Sequence, residues 1–468
     1  MSGATPQDPP GAVGVADAGP QARRKEQRAW YWYDWANSAY VTTIGTVLFA
    51  PYLISVAERA ACGFAGTADR PCRADLDVLG LVVSPGSLVA YVITLATLVS
   101  ALVLPVVGAA ADRSSRKTTV MATYAWVGSI AAGSMFFVTG TNWQLGAFLL
   151  FVANICLGSS LVVYDAILCE IATPDERDRV SSRGWALGYL GGGLLLAANL
   201  ALVTQAEAFG LDTALAVRIS LLSAALWWAG FTFVPYLGVR NRPAVAVVPE
   251  SGGLVRQSFG QLFATLRDLR NYPVTLTFLL AYLFYNDGIQ TVIVSASTYG
   301  EKQLGFGTST LIATILMVQF VAFGGALLFG KVAQHFGSRR VILAGLVIWM
   351  VVVSAAYTLP VGAVAPFLAL AVGIGLVMGG TQALSRSFFS LLIPRGREAE
   401  YFSLYQAAER GTSWLGTLVF GVVHQLTDSY RPAIFALIVF FLVGGLLLWR
   451  VDPARGIREA GNVQPAVV

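Results

Sequence analysis

The sequence predicts an all-α polytopic membrane protein with twelve transmembrane helices in two parallel six-helix repeats and both termini cytoplasmic. Three observations carry that expectation. The 468 residues are 56% hydrophobic and only 12% charged, with a mean hydropathy of +0.66, and a soluble domain carries about twice that charged share. Apolar stretches of about 20 residues, the length that crosses a bilayer core of about 30 Å, recur along the chain from residue 30 to residue 450. Landmarks in the first half return in the same order in the second. The strict alternation of barrel strands, about 10 residues at a time, is absent from the sequence.

Taken in order, residues 1–27 read as a disordered cytoplasmic tail, because 1–22 are rich in Ala, Gly, Pro, Gln and Asp and hold no apolar core of signal-peptide length. Apolar spans follow at 30–57, 86–111, 119–139, 145–169, 184–205 and 215–238. A second set lies at 273–299, 309–330, 341–360, 366–392, 402–426 and 432–450. The organisation is thus an N-terminal half over 28–238, a central cytoplasmic loop over 239–272, a C-terminal half over 273–450 and a cytoplasmic tail over 451–468. Orientation comes from Lys and Arg: the tail, the even-numbered loops and the C-terminus hold 23 of the 31. The net charge of +5 therefore reads as topology and not as a nucleic-acid surface.

The echo between halves is specific. G108-A-A-A-D-R-S-S-R-K117 follows span 2, and G330-K-V-A-Q-H-F-G-S-R-R340 follows span 8. S182-R-G-W-A-L-G188 opens span 5, and E409-R-G-T-S-W-L-G416 lies in span 11. Parallel repeats about an axis along the membrane normal are a transporter architecture. In the first loop Gly108 permits close helix approach, Asp112 suits a helix N-terminus, and Arg113, Arg116 and Lys117 hold the inner face. The second copy has Gln334 and His335 in place of the acid and base, so a charge latch there is expected to be asymmetric.

The first loop resembles the loop signature of the major facilitator superfamily. Y33-D-W-A-N-S-A-Y40, Y164-D-A-I-L168, R183-G-W-A-L-G-Y-L-G-G192, Y285-N-D-G-I-Q-T291 and Q382-A-L-S-R-S387 resemble its autophagy-related vacuolar amino-acid effluxer branch, whose bacterial members are the unknown major facilitator proteins. The resemblance covers roughly residues 28–450. It implies the major facilitator fold, a central pathway lined by spans 1, 4, 7 and 10, and amino-acid export.

Ionisable residues inside membrane helices are expensive and point to function. Asp34, Asp165, Asp287 and Arg386 lie in spans 1, 4, 7 and 10, and Glu409 and Arg410 lie near the inner end of span 11. At 1.5 Å per residue, Asp287 is about 21 Å beyond Pro273, past the midplane. Asp165 and Arg386 fall at the inner side of the pathway and are near-equivalents by the repeat. They are expected to pair in one state and part in another, or Arg386 clamps a substrate carboxylate. Asp287 reads as the proton-coupling residue; the alternative is a structural carboxyl bonded within the Tyr285, Asn286 and Gln290 cluster. Tyr33, Asn37 and Tyr40 share one helical face and are expected to line the pathway opposite Asp287, with Tyr164, Tyr285, Asn286, Gln290 and Gln382 also among the lining residues. Asp34 reads as an interfacial gate or cap near the start of span 1, and Arg183, Glu409 and Arg410 join the gate set. Gly184, Gly188 and Gly192, four apart, read as close-packing positions between the halves.

Cys62 and Cys72 in the first outer loop are either bridged or free. No phosphate-binding loop, metal set or catalytic constellation is present in the sequence, so no cofactor, no metal and no enzymatic activity is expected. The sequence thus reads as a secondary transporter that exports or exchanges small amino acids or related zwitterions, with protons as the coupling ion. It would sit as a monomer in the lipid bilayer of a bacterial plasma membrane, as the 27 Arg to 4 Lys bias of a high-GC genome suggests. Rival readings are multidrug or metabolite efflux and a non-transporting receptor or scaffold.

Overall fold

The computed structural model describes residues 19–67, 70–78, 80–244, 265, 267–411 and 413–468. The described chain is a bundle of long helices. The first is α1, Pro20–Ala39, which runs through a π-helical stretch, Tyr40–Leu48, into α2, Phe49–Cys62. Then come α3 Leu88–Arg113, α4 Lys117–Ser134, α5 Trp143–Ile171, α6 Arg177–Thr204 and α7 Thr213–Gly238. The second set is α8 Pro273–Thr298, α9 Thr308–Phe336, α10 Ser338–Thr358, α11 Val364–Leu391, α12 Glu398–Gly411, α13 Ser413–Thr427, α14 Tyr430–Ala436 and α15 Ile438–Arg450.

Ten helical segments among the described residues are long and apolar enough to cross a membrane. They include neither α8 nor the α12–α13 pair. The polar run Tyr285–Asn286–Asp287 with Gln290 lowers the apolarity of α8, and α12 and α13 are 14 and 15 residues long. The two expected spans that fall short are thus those carrying Asp287, Glu409 and Arg410.

The tail expected over 1–27 needs correction. Residues 1–18 lie outside the described residues, but 20–27 belong to α1, started by Pro20 at its first turn. Glu26 and Gln27 are buried there. Gln27 Nε2 donates to the Ile171 carbonyl at 3.0 Å and to Glu176 at 3.1 Å, and Arg242 donates to Glu26 at 2.6 Å. These polar partners hold a turn whose composition carries no apolar signal. The central loop lies largely outside the described residues, at 245–264. The C-terminal segment packs against the bundle through α16, Pro453–Glu459. Asn462 Nδ2 donates to the Leu391 and Ile393 carbonyls at 2.9 and 2.8 Å.

A second departure is small. Leu76–Val78 (β1) and Leu81–Val83 (β2) form an antiparallel hairpin, so the described chain is not wholly helical. Gly80, at φ +85°, makes the turn. The same loop carries the disulfide Cys62–Cys72.

Packing follows the repeat. Within the N-terminal set α1 packs on α6 and α7, and α5 on α3 and α4; within the C-terminal set α11 packs on α9 and α10, and α8 on α15. Two contacts join the sets in equivalent ways: α3 against α12, and α9 against α6. Gly108 lies on the first, so close that a Cβ there would strike the Ala399 carbonyl. Gly184, Gly188 and Gly192 do not form the stripe between the sets. They seat α6 on α1: a Cβ at Gly188 would lie 2.7 Å from Ser38 Oγ, and one at Gly192 2.9 Å from Thr42 Cγ2. Only Gly184 also reaches across, toward Arg386 as well as Asp34 and Trp30. Helix α6 has two small-residue faces, and spacing alone does not say which partner takes which.

Candidate functional site

At the centre of the bundle α1, α5, α6, α11 and α12 bring together a buried ionic cluster. Arg386, on α11 and 2% exposed, is its hub. Its Nη2 donates to Asp34 Oδ2 at 3.0 Å and to the Ser181 carbonyl at 3.1 Å. Its Nη1 donates to Asp165 Oδ1 at 3.3 Å, and its Nε to Ser181 Oγ at 2.9 Å. The carboxylates have further donors: Tyr164 Oη to Asp34 at 2.7 Å and Gln406 Nε2 to Asp165 at 2.8 Å. Trp30 stacks on Tyr164 with centroids 4.2 Å apart, and the guanidinium carbon lies 4.8 Å from the Trp30 ring centre. A planar fork with five donors suits this position, where an ammonium would leave carboxylate oxygens unmatched.

Asp34 therefore is not an acid near a helix start. Because α1 begins at Pro20, Asp34 lies fourteen residues in, about 21 Å along the axis, level with Arg386. Trp30, one turn earlier on α1, is also in the interior: its Nε1 donates to the Tyr164 carbonyl at 2.9 Å.

A second cluster closes one end of the bundle. Asp112 accepts from the backbone N–H groups of Ala399 and Glu400 at 3.0 and 2.9 Å, capping α12 from the opposite set of helices. Lys117 is buried between Asp112 at 3.1 Å and Glu170 at 2.8 Å. Arg113 and Arg116 are exposed at the surface of this loop. The degenerate second loop is closed by an acid on its partner. Asp178, on α6, accepts from Ser338 Oγ at 2.7 Å and Ser387 Oγ at 2.5 Å. Beside it, Arg177 Nη1 donates to the Ser390 carbonyl at 2.6 Å. Next to α12, Arg397 pairs with Glu400 at 2.9 Å and with Asp268. Burial alone would raise the Asp268 carboxyl, but hydrogen bonds from Asn271 and Arg397 outweigh it and hold it below the ordinary carboxylate range.

Asp287 stands apart from both clusters. It is fully buried on α8, and its Oδ2 accepts from the Gly416 N–H of α13 at 2.8 Å. Its Oδ1, the Thr291 hydroxyl and Asn286 Oδ1 are buried without a hydrogen-bond partner among the described residues. The internal cluster considered from sequence does not form. Tyr285 Oη bonds Ser385 at 2.6 Å, Asn286 Nδ2 donates to the Glu409 carbonyl at 3.3 Å, and Gln290 is half-buried.

Tyr33, Asn37 and Tyr40 are buried, but not opposite Asp287. Tyr33 packs on Tyr164 at 4.8 Å and Tyr40 on Trp228 at 5.1 Å, while Asn37 Nδ2 donates to the Tyr33 carbonyl one turn back. The π-helical stretch begins only at Tyr40, so the shared face of α1 is kept, but it meets Tyr164 of α5 and Trp228 of α7. Gln382 accepts from Tyr189 Oη at 2.5 Å, bridging α11 to α6. Arg183 is exposed and outside the clusters, whereas its repeat counterpart Arg410 is half-buried, with Nε 3.4 Å from Gln406 Oε1. Asp178, Ser181, Gln406 and Ser338 were missed in sequence. Asp178 reads there as one more loop charge between Arg177 and Arg179, and the others are uncharged residues without a distinguishing pattern.

A family model described as "Vacuole effluxer Atg22 like" matches residues 22–461. The chain is 31% identical to the MFS-type transporter YxiO of Bacillus subtilis (strain 168), over 91% of this chain and 94% of that protein. It is 25% identical to autophagy-related protein 22-2 of Aspergillus niger, over 99% and 96% of the two chains. Among solved structures, the proton:xylose symporter XylE aligns with a TM-score of 0.68 at 12% identity, over 95% of this chain and 99% of that one. The Escherichia coli fucose:proton symporter FucP aligns at 0.64 and 13% identity, over 92% and 99%. At such identities the likeness is one of fold, that of the major facilitator transporters.

Proposed function

The chain belongs to the vacuole effluxer Atg22-like family of major facilitator transporters, and we propose that it is a secondary active transporter that exports or exchanges small amino acids or related zwitterions by alternating access. The observation that carries the reading is Arg386. A buried guanidinium held by two carboxylates from the opposite set of helices is a contact that can form and break without moving any helix out of register. Breaking one partner of such a buried cluster costs about 3–5 kcal/mol, enough to define a closed state and within reach of ligand binding energy.

In this reading the chain crosses the membrane twelve times, with 28–238 and 273–450 as rocking halves and both termini in the cytoplasm. The inter-half bonds run from Asp112 at the loop end to the level of Tyr189 and Gln382, so the pathway is closed on the cytoplasmic side. Asp287 couples transport to protons: a buried carboxylate with one backbone donor and no cationic partner gains and loses a proton more readily than a salt-bridged one. Membership alongside a Bacillus relative, together with the Arg-rich composition, supports a bacterial plasma membrane, and the protein works there as a monomer.

Purified protein in liposomes loaded with pooled neutral amino acids tests the reading. The expected result is amino-acid flux that an imposed pH gradient accelerates in the wild type but not in Asp287→Asn. Flux of hydrophobic drugs in place of amino acids would favour multidrug efflux, and no flux of any compound would favour a scaffold.

A further inference from the structure

The arginine that sequence selects for a carboxylate clamp is already committed. Arg386 directs donors to Asp34, Asp165 and Ser181 and is shut away from solvent. A guanidinium neutralised twice over offers nothing to an anionic ligand. Arg410, on the neighbouring α12, is in the opposite condition. It is half-buried, and its one hydrogen bond among the described residues is the 3.4 Å contact from Nε to Gln406. No carboxylate oxygen of the described residues lies in salt-bridge reach. Its Nε faces α5 of the other helix set, 3.6 Å from where a Cβ on Gly158 would be. Glu409 first, then Tyr40 and Asp165, are near enough to act on its charge. A Cβ at position 158 would also lie 3.2 Å from Leu104 Cδ2, so glycine lets α5 approach the guanidinium closely.

Glu409 is the next residue, turned about 100° around the helix. It too is half-buried and makes no ion pair, and it lies beside Tyr282 of α8. A cation and an anion, outside salt-bridge contact but each acting on the other's charge, thus sit at adjacent positions of α12, toward α5 and α8. Isolated charges away from bulk water are costly unless a partner arrives. One small molecule with both a carboxylate and an ammonium satisfies them together.

We propose that Arg410 binds the carboxylate, and Glu409 the ammonium, of an α-amino-acid substrate, and that Gln406 links that site to the Arg386 cluster. Gln406 accepts from Arg410 through Oε1 and donates to Asp165 through Nε2 at 2.8 Å. Asp165 in turn accepts from Arg386. A carboxylate that draws the Arg410 guanidinium away from Gln406 releases a side chain that otherwise fixes Asp165, so occupancy reaches the closed-state contact through one residue.

The site rests on the amino-acid reading above, and the experiment separates the two. Counterflow of a neutral amino acid is measured in liposomes for wild type, Arg410→Gln, Arg410→Lys, Glu409→Gln and Gln406→Ala. Competitors are the same amino acid as its amide and as its N-acetyl derivative. The expected outcome is a rise in KM of about tenfold or more for Arg410→Gln, the worth of a charge-assisted hydrogen bond. That variant also loses the preference for the free acid over the amide, and Arg410→Lys recovers part of it. Glu409→Gln loses the preference for the free ammonium over the N-acetyl compound. Gln406→Ala lowers the maximal rate more than it changes KM. Melting temperatures of the Arg410 variants stay near wild type, because no ion pair is removed. Amino-acid flux in the wild type with unchanged KM and unchanged selectivity in Arg410→Gln overturns the site alone. Absence of amino-acid flux in the wild type overturns the substrate reading and the site with it.

Discussion

Arg386 Nη2 lies 3.0 Å from Asp34 Oδ2, although 352 residues separate the two in sequence. One sits in the first long helix and the other in α11. Their contact, with Asp165 as a second acceptor, is a buried ion pair that joins the two helix sets.

Removing the Arg386 guanidinium leaves two buried carboxylates facing each other. Arg386→Gln is expected to destabilise the closed form by about 3–5 kcal/mol, read as a lower melting temperature of the detergent-purified protein. The double variant Asp34→Asn/Arg386→Gln is expected to recover part of that loss, because the residues share one network.

Asp112 acts across the interface as a cap for α12. Asp112→Ala removes the acceptor from the Ala399 and Glu400 N–H groups, a loss of about 1–2 kcal/mol by analogy with helix N-caps. It also leaves Lys117 with Glu170 alone. The expected signature is faster reaction of a thiol reagent with a cysteine placed at Ser403, which is buried on α12.

Gly188 admits no side chain without moving α1. Gly188→Val is expected to cost about 1–3 kcal/mol from overpacking against Ser38 and Asp34. Because the contact is within one helix set, transport KM is expected to change less than melting temperature. A variant with wild-type stability would show that α6 and α1 do not meet at this glycine.

Cys62 and Cys72 close a loop of about ten residues, worth about 2–3 kcal/mol in chain entropy. Denatured protein is expected to take up two maleimides without reductant, at Cys156 and Cys169, and four after reduction. Uptake of four without reductant would show free thiols.

The helix bundle was legible because apolar length and Lys/Arg placement are properties of local sequence. The pairing of Asp165 with Arg386 was legible too, since the repeat makes them near-equivalents on facing helices. Asp34 was misplaced because the helix reaches back to Pro20 through Arg23, Glu26 and Gln27, polar residues that no hydropathy pattern marks as buried. Tyr33, Asn37 and Tyr40 were aimed at the wrong neighbours because a shared face does not say which helix it meets, and here it meets Tyr164 of α5 and Trp228 of α7. The glycine stripe of α6 was read for its spacing, but spacing does not choose between two facing helices. Ser181 and Asp178 matter through partners more than 130 residues away, and Gln406 through Asp165, 241 residues away, relations that one sequence does not display.

The most direct test is a distance. Cysteines at Ser115 and Arg395, both exposed beside the Asp112 contact and on opposite helix sets, can carry spin labels, since Cys156 and Cys169 are buried. Pulsed electron resonance then reports the separation of the two sets at that end. One short distance is expected without substrate, and a second, longer population with substrate or in Arg386→Gln. A single unchanged distance with amino acid present, with a pH gradient and in Arg386→Gln would contradict a pathway closed by Arg386 and opened by its release.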